Sequence, residues 1–107
     1  MELIQYAVVL VNLDPTIGSE IKKTRPCVII SPNEINKFLN TIVVAPMTSN
    51  LKKYPTRIEV VHNNRKGMIA IDQIRTIDTS RIIKIFNQLS RPEIQNCKAI
   101  IRETFVD

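Results

Sequence analysis

Glycine is nearly missing from this chain of 107 residues, in which Gly18 and Gly67 are the only two. That scarcity removes both the Gly-rich loops that cradle phosphates and the dinucleotide fingerprint, so a nucleotide-cofactor enzyme is not expected. One histidine, His62, and two distant cysteines, Cys27 and Cys97, leave a zinc site short of its usual ligands. No clustered set of Asp and Glu suggests Mg²⁺ either. Cofactor-free, metal-free chemistry is therefore the expectation. His62 sits near a predicted hairpin on a half-exposed strand, where a lone histidine is more often structural or solvated than a general base. The cysteines fit reduced, small hydrophobic residues better than a disulfide. Tryptophan is absent. No run approaches the roughly 20 apolar residues needed to span a bilayer. The opening Met1-Glu2-Leu3-Ile4-Gln5 has neither the basic segment nor the cleavage site of a signal peptide. A cytoplasmic chain without membrane association is expected.

What is present describes an ordinary globule, with 44% hydrophobic and 23% charged residues. The length suits one domain over residues 1–107, with a modest core that subunit pairing would enlarge. Lys and Arg exceed Asp and Glu to give +5, which argues for an anionic partner such as nucleic acid or an acidic protein, against solubility alone. Tyr6 to Leu13, Pro26 to Ser31 and Thr41 to Met47 are Val- and Ile-rich runs that read as strands buried on both faces. Thr56 to His62 alternates, with Ile58 and Val60 on one side and Arg57 and Glu59 on the other. Asn63-Asn64-Arg65-Lys66-Gly67 then reads as a hairpin connection returning through Met68 to Ile71. Ile82 to Leu89 fits either strand or helix and is read as a sixth strand, because Ile83, Ile85 and Leu89 share one parity and Lys84 and Gln88 the other, with Phe86 breaking the pattern. Ser31-Pro32-Asn33-Glu34 and Ser90-Arg91-Pro92-Glu93 both match a capping box. The first predicts a short helix with Ile35, Phe38 and Leu39 on one face, ended by Asn40. The second predicts a terminal helix whose stripe Ile94, Cys97, Ile101 and Phe105 packs on the sheet. A mainly β (α+β) fold follows: a small, strongly bent antiparallel barrel with one short and one C-terminal helix.

The residue with the clearest chemistry is Arg25, a permanent cation where the polar loop Asp14-Pro15-Thr16-Ile17-Gly18-Ser19-Glu20 runs through Lys22-Lys23-Thr24 into an apolar strand. It has the character of a phosphate handle on a rigid strand. These blocks, with Val43-Val44-Ala45-Pro46-Met47-Thr48-Ser49 and Asp72-Gln73-Ile74-Arg75-Thr76-Ile77-Asp78, occur in the order and spacing of MazF/PemK toxins. The chain closely resembles that family over nearly its whole length. It departs at the start, where Ile4-Gln5-Tyr6 replaces the family's basic-Gly-acidic turn and leaves that turn's shape open.

The resemblance implies a homodimeric, SH3-like barrel of the CcdB/MazF/PemK type. Such a barrel acts as a sequence-specific, ribosome-independent endoribonuclease on single-stranded RNA, paired with an acidic MazE-like antitoxin. The 2′-hydroxyl would attack the adjacent phosphorus, leaving 2′,3′-cyclic phosphate and 5′-hydroxyl ends without a metal. Arg25 matches the catalytic arginine and Thr48 the catalytic threonine, with Ser49 as a substitute hydroxyl. Glu20 matches the loop glutamate and is the first choice as base, Asp72 the second. Because Ala70 stands where PemK-type relatives carry an arginine, Asp72 and Gln73 are assigned to positioning, and a surface ion pair is the plain alternative for Glu20 and Asp72. Ser19, Lys22, Lys23, Lys52, Lys53, Arg57, Arg65, Lys66 and Arg75 would hold RNA, and Tyr54 with the loops around Gly18 and Lys52 would select bases. Two chains would carry +10, a groove for an acidic antitoxin tail. The rivals are a gyrase-binding barrel of the CcdB type, disfavoured by the lack of a C-terminal tryptophan, and a silent RNA-binding adaptor.

Overall fold

The computed structural model describes residues 2–106. Seven strands run in the order β1 Ala7–Asn12, β2 Thr24–Ile29, β3 Thr41–Thr48, β4 Arg57–His62, β5 Arg65–Ala70, β6 Arg75–Asp78 and β7 Ile82–Gln88. Helix α1, Asn33–Asn36, links β2 to β3, and α2, Arg91–Phe105, closes the chain. The sheet follows the path β4-β5-β3-β2-β1-β7, with β6 also paired to β3, and every pairing is antiparallel. Strand β3 makes the sheet curl. One of its edges pairs with β6 from Thr41 to Val44 and then with β5 at Met47 and Thr48, while the other edge holds β2.

The continuous apolar runs are buried on both faces, as their composition requires. Along β1, Val8 joins one core with Val28, Ala45, Met47, Ile58, Val60, Ile69 and Cys97. Its neighbours Val9 and Val11 turn to a second core with Cys27, Ile29, Ile42, Val44 and Ile77. Strand residues alternate between faces, so the two layers share one backbone. Both cysteines are free and buried, and burial pushes each thiol up to about 12.

Sequence and structure differ in several places, each for a physical reason. The sheet has seven strands; β6 escaped notice because Ile77 is its only buried residue and β3, not its own composition, recruits it. The two capping boxes diverge. Ser90 caps α2, with Glu93 reaching back in the reciprocal arrangement, whereas Pro32 stands at the N-cap of α1 and no side chain caps it. The Ser31 hydroxyl is buried instead, donating to Asn36 Oδ1 at 2.6 Å and accepting from Val43 N–H at 3.1 Å. Helix α1 accordingly ends at Asn36, not Asn40, whose carbonyl accepts from Thr79 N–H at 2.9 Å. The expected apolar face of this helix is uncovered: Ile35 is 44%, Phe38 83% and Leu39 53% exposed.

In β7 the expected parity fails. Its pairing with β1 has two register shifts, and such bulges break a period of two. Ile83 is consequently exposed, while Ile85 and Phe86 pack against opposite cores. On α2, Ile94 and Ile101 pack against the core as expected, joined by Ile100, and Phe105 is exposed. The β4–β5 connection is a tight turn in which Asn63 and Asn64 both have positive φ, 51° and 61°, the type I′ pattern. The N-terminal turn closes through Ala7 N–H to the Ile4 carbonyl at 3.0 Å, with Tyr6 at φ 67°. Among the described residues, no helix is long and apolar enough to cross a membrane.

Candidate active site

Arg25 and Thr48 meet because two neighbouring strands carry them there. Cys27 pairs with Pro46 between β2 and β3; carrying that register two residues further sets Arg25 opposite Thr48. Both are half-buried, and both line one cleft of about 640 Å³ with Ser49, Pro26, Met47, His62, Asn63, Arg65, Lys66 and Phe86. The Arg25 Nε–H donates to the Lys22 carbonyl at 2.9 Å, which fixes the plane of the guanidinium. Among the described residues its terminal nitrogens make no hydrogen bond, so the part of the fork that grips an oxyanion is free. The Thr48 hydroxyl oxygen accepts from Asn50 N–H at 3.2 Å. Its own proton therefore remains available to a ligand.

Glu20 lies elsewhere. It lines a second cleft, of about 470 Å³, with Ser19, Pro46, Asp72, Gln73, Ile74 and Arg75. Its carboxylate accepts from Ile17 N–H at 2.5 Å, closing its own loop. Gln73 holds the same loop from across the fold: its Oε1 accepts from Ile21 N–H at 2.7 Å, and its Nε2 donates to the Ser19 carbonyl at 3.5 Å. Arg75 secures the loop's other end by donating to the Leu13 carbonyl at 3.0 Å. The structure thus joins Arg25, Thr48 and Ser49 in one cleft and Glu20, Ser19, Asp72, Gln73 and Arg75 in another. Lys22, Lys23, Lys52 and Lys53 are exposed and line neither.

Asp72 forms the ion pair that was its plain alternative. Arg57 Nε and Nη2 donate to its two carboxylate oxygens at 2.8 and 3.2 Å, and Thr56 adds a bond at 2.9 Å. The Arg57 bond, aided by Thr56, holds the Asp72 carboxyl below the usual carboxylate range against the opposing effect of burial, and the same bond raises Arg57. The Arg57 guanidinium also stands 5.2 Å from the Tyr54 ring centre, and Lys52 Nζ stands 5.3 Å from it. These groups brace one another. Since the folded Asp72 carboxyl releases its proton more readily than the unfolded one, the pair stabilises the fold above the ordinary carboxylate pKa, near 4. That contribution disappears as pH falls through the folded value. Asp72→Asn should therefore lower the urea midpoint at neutral pH, and the deficit should shrink in acid, below the ordinary carboxylate range. A deficit equal at both pH values would contradict this assignment.

His62, Asn63 and Phe86 are the lining residues that sequence reasoning passed over. The signal lay in parity: His62 shares its side of β4 with buried Ile58 and Val60, and the tight turn after it brings Arg65 and Lys66 alongside. Among the described residues, no three His, Cys, Asp or Glu side chains converge as a metal site would require.

The curled sheet and its helices have the architecture of solved MazF toxins. MazF from Deinococcus radiodurans superposes with a TM-score of 0.85 at 21% identity, covering 96% of each chain. A mycobacterial endoribonuclease solved with its cognate antitoxin superposes at 0.80 with 15% identity, covering 94% of this chain and 92% of that one. By sequence, the chain is 37% identical over 89 residues to Endoribonuclease MazF of Staphylococcus saprophyticus, spanning 78% of this chain and 74% of the relative. The family model of the PemK-like, MazF-like toxins of type II toxin-antitoxin systems matches residues 4–105. The chain belongs to that family.

Proposed function

We propose that this protein is the toxin of a toxin-antitoxin pair and an endoribonuclease that cuts single-stranded RNA at particular sequences, independently of the ribosome. The observation that carries the reading is the pairing of Arg25, with its terminal nitrogens free, and Thr48, with its hydroxyl proton free, in one cationic cleft. The relative named Endoribonuclease MazF supports it. The substrate's 2′-oxygen attacks the neighbouring phosphorus, negative charge grows on the non-bridging oxygens, and the 5′-oxygen leaves. Arg25 grips those oxygens with its planar fork, and Thr48 donates to the same phosphate. Arg65 and Lys66 hold flanking phosphates, as Lys22, Lys23, Lys52 and Lys53 do outside the cleft. Gln73 positions the Ser19 to Ile21 loop, while Asp72 positions Arg57. Glu20 serves as that loop's internal cap rather than as a group beside the scissile phosphate.

A substrate that brings its own nucleophile needs no metal-bound water, and the cleft's donor set of cations, hydroxyls and an imidazole suits charge stabilisation by the protein itself. The active species is a homodimer, in which a second copy covers Phe38, Leu39 and other uncovered apolar side chains. An acidic antitoxin segment occupies the phosphate sites of the basic groove. The test is a long unstructured RNA incubated with the purified protein in EDTA. Discrete shortening is expected; RNA that is bound but stays intact would point to the adaptor alternative.

A further inference from the structure

We infer that His62 is the residue that takes the proton from the attacking 2′-hydroxyl, an inference that rests on the endoribonuclease reading. Arg25 and Thr48 account for the charge that develops on phosphate, and neither serves as a base near neutral pH. Among the described residues, the cleft they share has no carboxylate in its lining, whose ionisable groups are Arg25, Arg65, Lys66 and His62. Of these only an imidazole exchanges a proton easily between about pH 5 and 8.

Placement and hydrogen bonding agree. His62 pairs directly with Arg65 across the β4–β5 ladder, one residue before the tight turn. Its ring meets Phe86 edge-on, with centroids 4.7 Å apart and planes at 76°, a favourable geometry that steadies the imidazole in the cleft wall. His62 Nε2 is buried and, among the described residues, has no hydrogen-bond partner. A buried N–H without an acceptor is costly, which favours the tautomer with its proton on Nδ1 and an unused lone pair on Nε2. An orphaned polar atom of this kind is uncommon and calls for a partner. Reaching the ribose requires the ring to turn out of its edge-on contact with Phe86, and that rotation is part of the proposed step: with substrate in the cleft, Nε2 faces the 2′-hydroxyl. Catalytic hydrogen bonds frequently form only in the substrate complex.

The 2′-oxygen forms its bond to phosphorus as its proton passes to the imidazole. The bond from phosphorus to the 5′-oxygen breaks, and the 5′-oxygen keeps the electron pair and takes a proton from water. The imidazolium then returns its proton to the hydroxide so formed. The charged groups around the ring are Arg25 from β2, Arg65 and Lys66 from β5, and Lys84 of β7, whose Nζ lies 5.1 Å from the Phe86 ring centre. Glu93 of α2 borders the hollow behind it. The Glu93 carboxylate is occupied by Val61 N–H at 3.1 Å and Ser90 N–H at 3.0 Å.

Single-turnover cleavage of an oligoribonucleotide bearing a site cut by the parent protein, followed from pH 5 to 8, tests the assignment. His62→Gln should slow cleavage on the order of 10², a usual loss for one acid–base group. It should also flatten the rise of rate with pH while leaving RNA affinity within about threefold, and added imidazole should partly restore His62→Ala. His62→Gln cutting near the parent rate would overturn the inference. So would a slow variant that keeps the parent pH profile while His62→Ala ignores imidazole, the pattern of a merely structural histidine. A parent protein that leaves every RNA intact would instead defeat the reading on which the inference rests.

Discussion

Arg25→Ala is expected to lower RNA cleavage by on the order of 10² or more, the usual loss when one donor to a developing oxyanion is removed. The geometry explains why the loss falls on turnover. Nε is committed to the Lys22 carbonyl, so the free part of the side chain is the pair of terminal nitrogens, which bind most strongly when phosphate charge peaks. Ground-state affinity changes far less, because Arg65, Lys66 and the surface lysines still hold the backbone. Arg25 is half-buried and makes one internal bond, so its removal costs about 1 kcal/mol of stability and the fold survives. Arg25→Lys preserves charge without the planar fork and should recover only part of the rate. Cleavage by Arg25→Ala at the parent rate, measured under single turnover, would remove Arg25 from the reaction.

Thr48→Val should reduce single-turnover cleavage by roughly 10-fold to 10²-fold, a loss comparable to or smaller than that for a complete oxyanion donor. Valine keeps the branched shape that suits the end of β3 but deletes the hydroxyl. It also deletes the acceptor for Asn50 N–H, which helps shape the following loop. Thr48→Ser separates the two effects: it restores a hydroxyl with both capacities and should return most of the rate. Equal losses of RNA affinity and rate in Thr48→Val would mark a binding residue instead.

Much of the fold was legible because burial on two faces leaves a direct trace in composition. The Val- and Ile-rich runs of β1, β2 and β3 divide their side chains between two cores, and the Asn pair announces its turn. What escaped depended on tertiary context. Ser31 and Ser90 carry the same local motif, yet Ser31 is 6% exposed and its hydroxyl is engaged by Asn36 and Val43. Burial, which the motif does not encode, separates their fates. Strand β6 exists because β3 has an edge to fill, and β7 loses its alternation because bulges against β1 reset it.

The site divides in the same way. Arg25 and Thr48 were recognisable as reactive types in family blocks, and the β2–β3 register brings them together. Glu20 belongs to a similar block, but its loop folds back on itself through Ile17 and Gln73 toward another cleft. His62 had the opposite history: an unremarkable lone histidine in sequence, it lines the Arg25 cleft because it ends β4 with the parity of buried Ile58 and Val60.

In the proposed reaction the cleft makes RNA cut itself, with its own 2′-hydroxyl as nucleophile. The direct measurement is digestion in EDTA of two RNAs that differ by one oxygen, one of them 2′-deoxy at the nucleotide before the cut. The all-ribose RNA should be cleaved there to 2′,3′-cyclic phosphate and 5′-hydroxyl ends, and the 2′-deoxy RNA should stay intact at that position. Cleavage of the 2′-deoxy position, or 3′-hydroxyl and 5′-phosphate ends from either RNA, would rule that reaction out.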